Sequence, residues 1–126
     1  MAGERESTTQ AAIRQAVCQL GWARLLRNNT GRVRAEDGQY HVFGLGKGGA
    51  DLVGVVVMEN GLGRAFAIEI KRPQGGRTSP EQVAWLTAFN KLGGAGAVCR
   101  DRVTAIEFAH RARTGELFTG PGPYKV

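Results

Sequence analysis

A chain of 126 residues with 42% hydrophobic side chains is sized for one domain around one modest core, which excludes wholesale disorder. Its 17 basic residues against 11 acidic ones give a formal charge of +6 and a pI near 10.0, favouring a polyanionic partner, nucleic acid first. No apolar run approaches the roughly 18 residues that a membrane span needs, and the polar start Glu4-Arg5-Glu6-Ser7-Thr8-Thr9-Gln10 is not a secretory apolar region, so a cytoplasmic protein without membrane contact is expected.

Residues 5–20 read as an amphipathic helix, with Thr9, Ile13, Val17 and Leu20 on one stripe and Gly21 as its stop. Glu6 and Gln10 continue that stripe beyond its apolar part, where they either reach into a cleft or, for Glu6, complement the helix N-terminus. A strand over 22–26 leads to the polar turn Arg27-Asn28-Asn29-Thr30-Gly31. Arg32-Val33-Arg34, an Asp37-Gly38 turn and Tyr40-His41-Val42-Phe43 then predict a hairpin. His41 has no second His nearby and reads as a strand surface residue. Residues 44–49 are glycine-rich around Lys47 but lack the spacing and the Ser or Thr of a P-loop, so they read as a flexible, DNA-facing loop.

Residues 51–58 form the next strand. The turn 59–63 contains Asn60-Gly61, a strong hairpin signal between two β-branched runs, and the returning strand ends in Ile68-Glu69-Ile70-Lys71. After Arg72-Pro73-Gln74-Gly75-Gly76-Arg77-Thr78, the run Ser79-Pro80-Glu81-Gln82 opens a helix with an N-cap, a Pro at N1 and a capping box. Val83, Trp85, Leu86, Phe89 and Leu92 supply its apolar faces, and Gly93-Gly94 ends it. A short buried strand covers 95–99, and Asp101 caps a last helix through about Arg113, with Val103, Ile106 and Ala109 inward and Arg102, Arg111 and Arg113 outward. Residues 114–126, with Pro121 and Pro123, read as a loose or assembly tail. Cys18 and Cys99 read as buried, reduced small hydrophobes.

The chemistry concentrates at the second hairpin. Folding back at Asn60-Gly61 sets residues 51–53 across from 69–71, and residues two apart on a strand share a face about 6–7 Å apart. Glu69 and Lys71 therefore project together, and Asp51 meets them from the neighbouring strand. Two carboxylates and an amine at a sheet edge can hold a hard divalent cation beside a Lys that steadies a water or a phosphate oxygen. The same letters would also serve as an ion pair on a solvated face. Against that, Glu69 sits within the apolar string Ala65-Phe66-Ala67-Ile68, and Asp51 follows a stretch of glycines suited to close backbone approach. Lys47, Arg72 and Arg77 flank the site, as phosphate contacts or as solvated loop charge.

In this order, the pieces from Glu6 to Val103 resemble the small stand-alone phage and bacterial members of the VRR-NUC group in the PD-(D/E)XK nuclease superfamily. The resemblance runs through Glu6 and Gln10, Arg27-Asn28-Asn29 with Gly31, Gly49-Ala50-Asp51-Leu52-Val53-Gly54, Ile68-Glu69-Ile70-Lys71-Arg72-Pro73, Ser79-Pro80-Glu81-Gln82 and Gly93-Gly94. Ala50 stands where the superfamily's name leads one to expect Pro. The resemblance implies a single α/β domain with a restriction-endonuclease-like core, a central mixed sheet flanked by helices. It implies Mg²⁺, with Mn²⁺ as a substitute, ligated by Asp51, Glu69, the Ile70 carbonyl and Glu6, with Lys71 polarising the attacking water and Gln82 lining the site. DNA is the implied partner, a four-way (Holliday) junction above all, cut by a homodimer in a bacterial or phage-infected cytoplasm. Nicking or flap cutting by the same centre, and a non-catalytic DNA-binding module, are the alternatives.

Overall fold

The computed structural model describes residues 5–126. Helix α1 (Glu6–Cys18) leads into strand β1 (Ala23–Arg27), a hairpin of β2 (Gly31–Arg34) and β3 (Tyr40–Phe43), and a second hairpin of β4 (Leu52–Val57) and β5 (Gly63–Ile70). Helix α2 (Pro80–Lys91), strand β6 (Ala95–Cys99) and helix α3 (Arg102–Arg113) follow. The central sheet runs β1-β4-β5-β6, and β2-β3 form a separate two-stranded sheet. The β1–β4 and β4–β5 pairs are antiparallel and β5–β6 is parallel. A parallel neighbour requires a crossover, and α2 supplies it. The expected α/β class, with a mixed central sheet and flanking helices, is therefore what the chain adopts.

Alternation along β5 divides the molecule into layers. Phe66, Ile68 and Ile70 face the larger core with Ile13 and Val17 of α1 and Ala105, Phe108, Ala109 and Ala112 of α3. Ala67 faces the other way, into a smaller cluster with Ala50, Leu86 and Val98 beneath α2. The β4–β5 ladder pairs Leu52 with Ile68 and Val53 with Ala67, two residues away from the expected alignment. A shift of two keeps every side chain on its face, whereas a shift of one would have reversed them all. Gly54 is needed in β4 because a Cβ there would collide with the backbone carbonyl of Arg24.

Several expectations are corrected. The buried face of α3 is Ala105, Phe108, Ala109 and Ala112, while Val103 is 72% exposed; the small alanines let the helix approach the sheet and α1 closely. Leu92, expected in an apolar face of α2, is 89% exposed at the helix C-cap, and the buried polar residue there is Asn90. Asn90 donates Nδ2 to the Gly96 and Gly120 carbonyls and accepts from the Gly96 amide at 2.7 Å. Cys18 is exposed rather than buried; both cysteines are free thiols. Residues 114–126 are not loose. Phe118 enters the main core with its ring 4.9 Å from that of Phe108, Tyr124 donates to Glu107 Oε2 at 2.7 Å, and the Val126 carbonyl accepts from the Thr78 amide and hydroxyl.

Arg64 fastens this tail side of the molecule. Buried at the start of β5, it donates Nε to the Gly93 carbonyl, Nη1 to that of Ala112 and Nη2 to that of Gly94, and it lies over the Phe118 ring. One guanidinium thus satisfies carbonyls at the ends of two helices, where intrahelical partners run out. Arg64→Met retains the apolar stem and removes these three hydrogen bonds; urea titration is expected to show a loss of about 3 kcal/mol, the scale of charged buried hydrogen bonds.

Candidate active site

The site forms where β4 begins and β5 ends. One step beyond the last β4–β5 ladder pair, Asp51 lies alongside Glu69, and Asp51 Oδ2 accepts the Ile70 amide at 2.8 Å. That bond fixes the Asp51 carboxylate against the strand carrying the second carboxyl. Asp51 is also positioned from behind. The Asn28 amide donates to the Asp51 carbonyl at 2.8 Å, while Asn28 Nδ2 donates to the Ala50 carbonyl and Asn28 Oδ1 accepts the Leu45 amide. The sequence placed Asn28 in a polar turn and in the family resemblance without a role; an Asn directly after a strand is the signal that could have marked it as a loop clasp.

Glu69 is 1% exposed and Lys71 is 9% exposed, both on the face of β5 that α2 covers. Gln82 Nε2 donates to Glu69 Oε1 at 3.1 Å. Gln82 holds this position because the capping box is formed: the Ser79 amide donates to Gln82 Oε1 at 2.8 Å and the Gln82 amide to Ser79 Oγ at 3.2 Å. The same side chain therefore starts the helix and touches the buried carboxyl. Glu69 Oε2 is buried without a hydrogen-bond partner, and the Asp51 carboxyl is close enough to act on the Glu69 carboxyl.

This setting pushes the Glu69 carboxyl up to about 9. Burial is the first cause, the Asp51 carboxyl as hydrogen-bond partner and as like charge comes next, Lys71 opposes the shift, and Glu6 adds to it from farther off. Without a cation, Glu69 is protonated at neutral pH.

The remaining expected site residues are distributed around this centre. Gln10 reaches it, lining a cavity of about 470 Å³ with Arg27, Asn28 and Asp51. Glu6 is exposed and acts on Glu69 through its charge. Among the described residues no group of three or more His, Cys, Asp or Glu side chains gathers, so the centre has two carboxylates and not three; Glu4 lies outside the described residues. Lys47 is drawn toward α2, with Nζ 3.4 Å from Glu81 Oε1. The glycines beside it serve this packing: a Cβ at Gly48 would come within 2.5 Å of the Glu81 carbonyl, so the close approach is by the helix start. Arg72 and Arg77 are exposed on the loop after Lys71. That loop is organised by Arg100, unnoticed in the sequence, which donates to the Arg72, Gly75 and Gly76 carbonyls.

The donor set suits a hard cation. A buried carboxyl, Glu69, lies beside the half-buried carboxylate of Asp51, one oxygen lacks a partner, and a Lys stands close by; the like charges are relieved by a proton or by a divalent ion. The proton route fixes a sign. Below about pH 4.5 Glu69 is protonated folded and unfolded. Above that the unfolded chain releases its proton while the folded one keeps it up to about pH 9, so metal-free stability falls across this window as pH rises. Denaturant titrations in EDTA are expected to show wild type losing stability between pH 5.5 and 8.5, and Glu69→Gln, which keeps a neutral side chain, losing less.

No protein-family model, no curated protein and no solved structure matches this chain.

Proposed function

We propose that this chain is a Mg²⁺-dependent DNA endonuclease of the VRR-NUC type, with a restriction-endonuclease-like core, that hydrolyses phosphodiesters in branched DNA and works as a homodimer in the cytoplasm. The observation that carries this reading is the buried Glu69 carboxyl, with one oxygen lacking a donor, set against Asp51 and beside Lys71. A strand this apolar holds an ionisable pair only at a cost, and such pairs concentrate at functional sites. The net charge of +6 adds the affinity for a polyanion that a nuclease needs.

Asp51, Glu69 and the Ile70 carbonyl would hold the ion. When bound, Mg²⁺ supplies Lewis acidity toward the phosphoryl oxygen and lowers the pKa of a coordinated water. The protein's own groups do the rest. The Ile70 amide fixes Asp51 and Gln82 fixes Glu69, so neither carboxylate must reorganise when the Glu69 proton leaves. Lys71 offers its ammonium to the attacking water or to a non-bridging phosphate oxygen. In the net reaction, a water oxygen bonds to phosphorus, the bond to one bridging oxygen breaks, and that oxygen leaves as an alcohol.

The test is a labelled four-way junction and its matching duplex, incubated with Mg²⁺ or EDTA, for wild type, Glu69→Gln and Lys71→Met. Paired, symmetric, Mg²⁺-dependent cuts in the junction are expected, with each variant slowed about a hundredfold or more, the scale of removing one preorganised electrostatic group. Cuts confined to flaps or nicked duplex would keep the centre and discard junction resolution; tight binding with no cutting in Mg²⁺ or Mn²⁺ would leave a binding module. Metal binding has a separate readout, because a ligand that binds only the folded state stabilises it. Mn²⁺ should raise the melting temperature of wild type and leave that of Glu69→Gln nearly unmoved.

A further inference from the structure

The β2–β3 hairpin is a feature that the nuclease centre does not explain. It belongs to no larger sheet, and seven of its eight strand residues are exposed. A lone two-stranded hairpin is marginal in water, yet this one carries Val33, Tyr40, Val42 and Phe43, and Val42 is 70% exposed. The two faces of the ribbon differ in character.

Residues opposite each other in an antiparallel ladder share a face. Arg32 pairs with Val42 and Arg34 with Tyr40, so one face displays two arginines, a tyrosine and a valine. The Arg32 guanidinium lies 4.6 Å from the centre of the Tyr40 ring, an arrangement that holds the charge outward on a rigid base. The opposite face holds Val33 with His41 and Gly31 with Phe43, whose ring crosses Gly31 so closely that a Cβ there would lie 2.7 Å from Phe43 Cζ. The shaft has no acidic side chain. Glu36 and Asp37 sit at the tip, where Asp37 Oδ1 accepts the Gln39 amide and shapes the turn.

The ribbon's root is part of the site. Asn28, in the turn that leads into the ribbon, is bonded to the backbone of Ala50 and Asp51, and the cavity beside Asp51 is lined by Arg27 at the end of β1 and by Thr30 and Phe43 at the base of the arm. The base of the arm therefore adjoins the Asp51 side of the centre. A second copy would bring an equally basic face, whereas a nucleic-acid duplex brings phosphates, and a two-stranded β-ribbon fits a major groove about 12 Å wide.

We propose that the β2–β3 arm docks on duplex DNA flanking the scissile phosphate, with its Arg32–Arg34–Tyr40 face against the phosphate backbone and groove, and that Asn28 keys the arm to Asp51. The inference rests on the nucleic-acid reading above. Its test is fluorescence anisotropy of a labelled junction and duplex over a salt series, for wild type, Arg32→Ala/Arg34→Ala, and Lys91→Ala as a control on α2. Measurements are made in EDTA, and in Mg²⁺ on a Glu69→Gln background that slows cutting. Loss of two phosphate contacts should weaken binding about tenfold and lower the slope of log K against log salt by roughly 2, since each contributes about 0.9. Lys91→Ala should bind like wild type, and thermal melting should be unchanged because both arginines are exposed. Unaltered affinity and slope in the double variant would overturn the arm proposal and leave the nuclease reading standing. Unaltered DNA affinity with loss of dimer mass in sedimentation would assign the arm to a second copy and equally overturn it. If the arm variant loses binding but wild type cuts nothing, the arm proposal stands and the nuclease reading falls. Wild type that binds no DNA in either buffer would remove both.

Discussion

A carboxyl group in the middle of a dry sheet is a constraint that the neighbouring elements must meet together. β5 is covered on one face by α1 and α3 and on the other by α2, and Glu69 is buried between them. An unpaired charge there would cost several kcal/mol. The fold surrounds it with an amide from Gln82, the carboxyl of Asp51 and the ammonium of Lys71. The start of β4, the end of β5 and the first turn of α2 are thus fixed relative to one another by one side chain's requirements. The strand order adds a further condition. β5 and β6 run parallel while β4 runs against them, so the chain leaves β5 at the end where Lys71 lies, and a crevice outside strand carboxyl ends is where open α/β sheets commonly bind ligands.

The connecting segments are held by a few polar side chains with several bonds each, in place of regular ladders. Asn28 secures the turn before the β2–β3 arm and the glycine loop after it. Arg100 gathers three carbonyls of the 72–76 loop, Asn90 joins α2 to the edge strand β6 and the tail, and Arg64 joins the ends of α2 and α3. Each satisfies backbone groups that buried or half-buried loops would otherwise leave unpaired. No helix among the described residues is long and apolar enough to cross a membrane.

Much of this framework was legible in local chemistry. Asn60-Gly61 marked the hairpin that brings Asp51 to Glu69, Ser79-Pro80-Glu81-Gln82 marked the start of α2, and Asp101 marked that of α3, because turns and caps depend on neighbouring residues only. Errors arose where the decisive contact is distant. Alanines at 105 and 112 carry little weight in an apolar count, yet they form the packed face of α3, and the bulkier Val103 lies outside. Prolines and glycines made the tail look loose, while Phe118 and Tyr124 anchor it to Phe108. Arg64 drew no notice in the sequence because nothing near it reveals the three carbonyls it meets at the ends of α2 and α3. At the site, the pairing of Asp51, Glu69 and Lys71 followed from strand alternation, whereas the distance of Glu6 from them depends on how α1 packs, which periodicity does not define.

The double engagement of Gln82 has a mechanical consequence. Its carbonyl oxygen is held by the Ser79 amide and its amide nitrogen by Glu69, so α2 is pinned to β5 through a single planar group. A helix advances about 1.5 Å and turns about 100° per residue; slipping α2 by one position would therefore unmake its own first turn and release the buried carboxyl in the same step. The helix start and the strand behave as one rigid hinge plate, and motion near the site is left to the loops on either side of it.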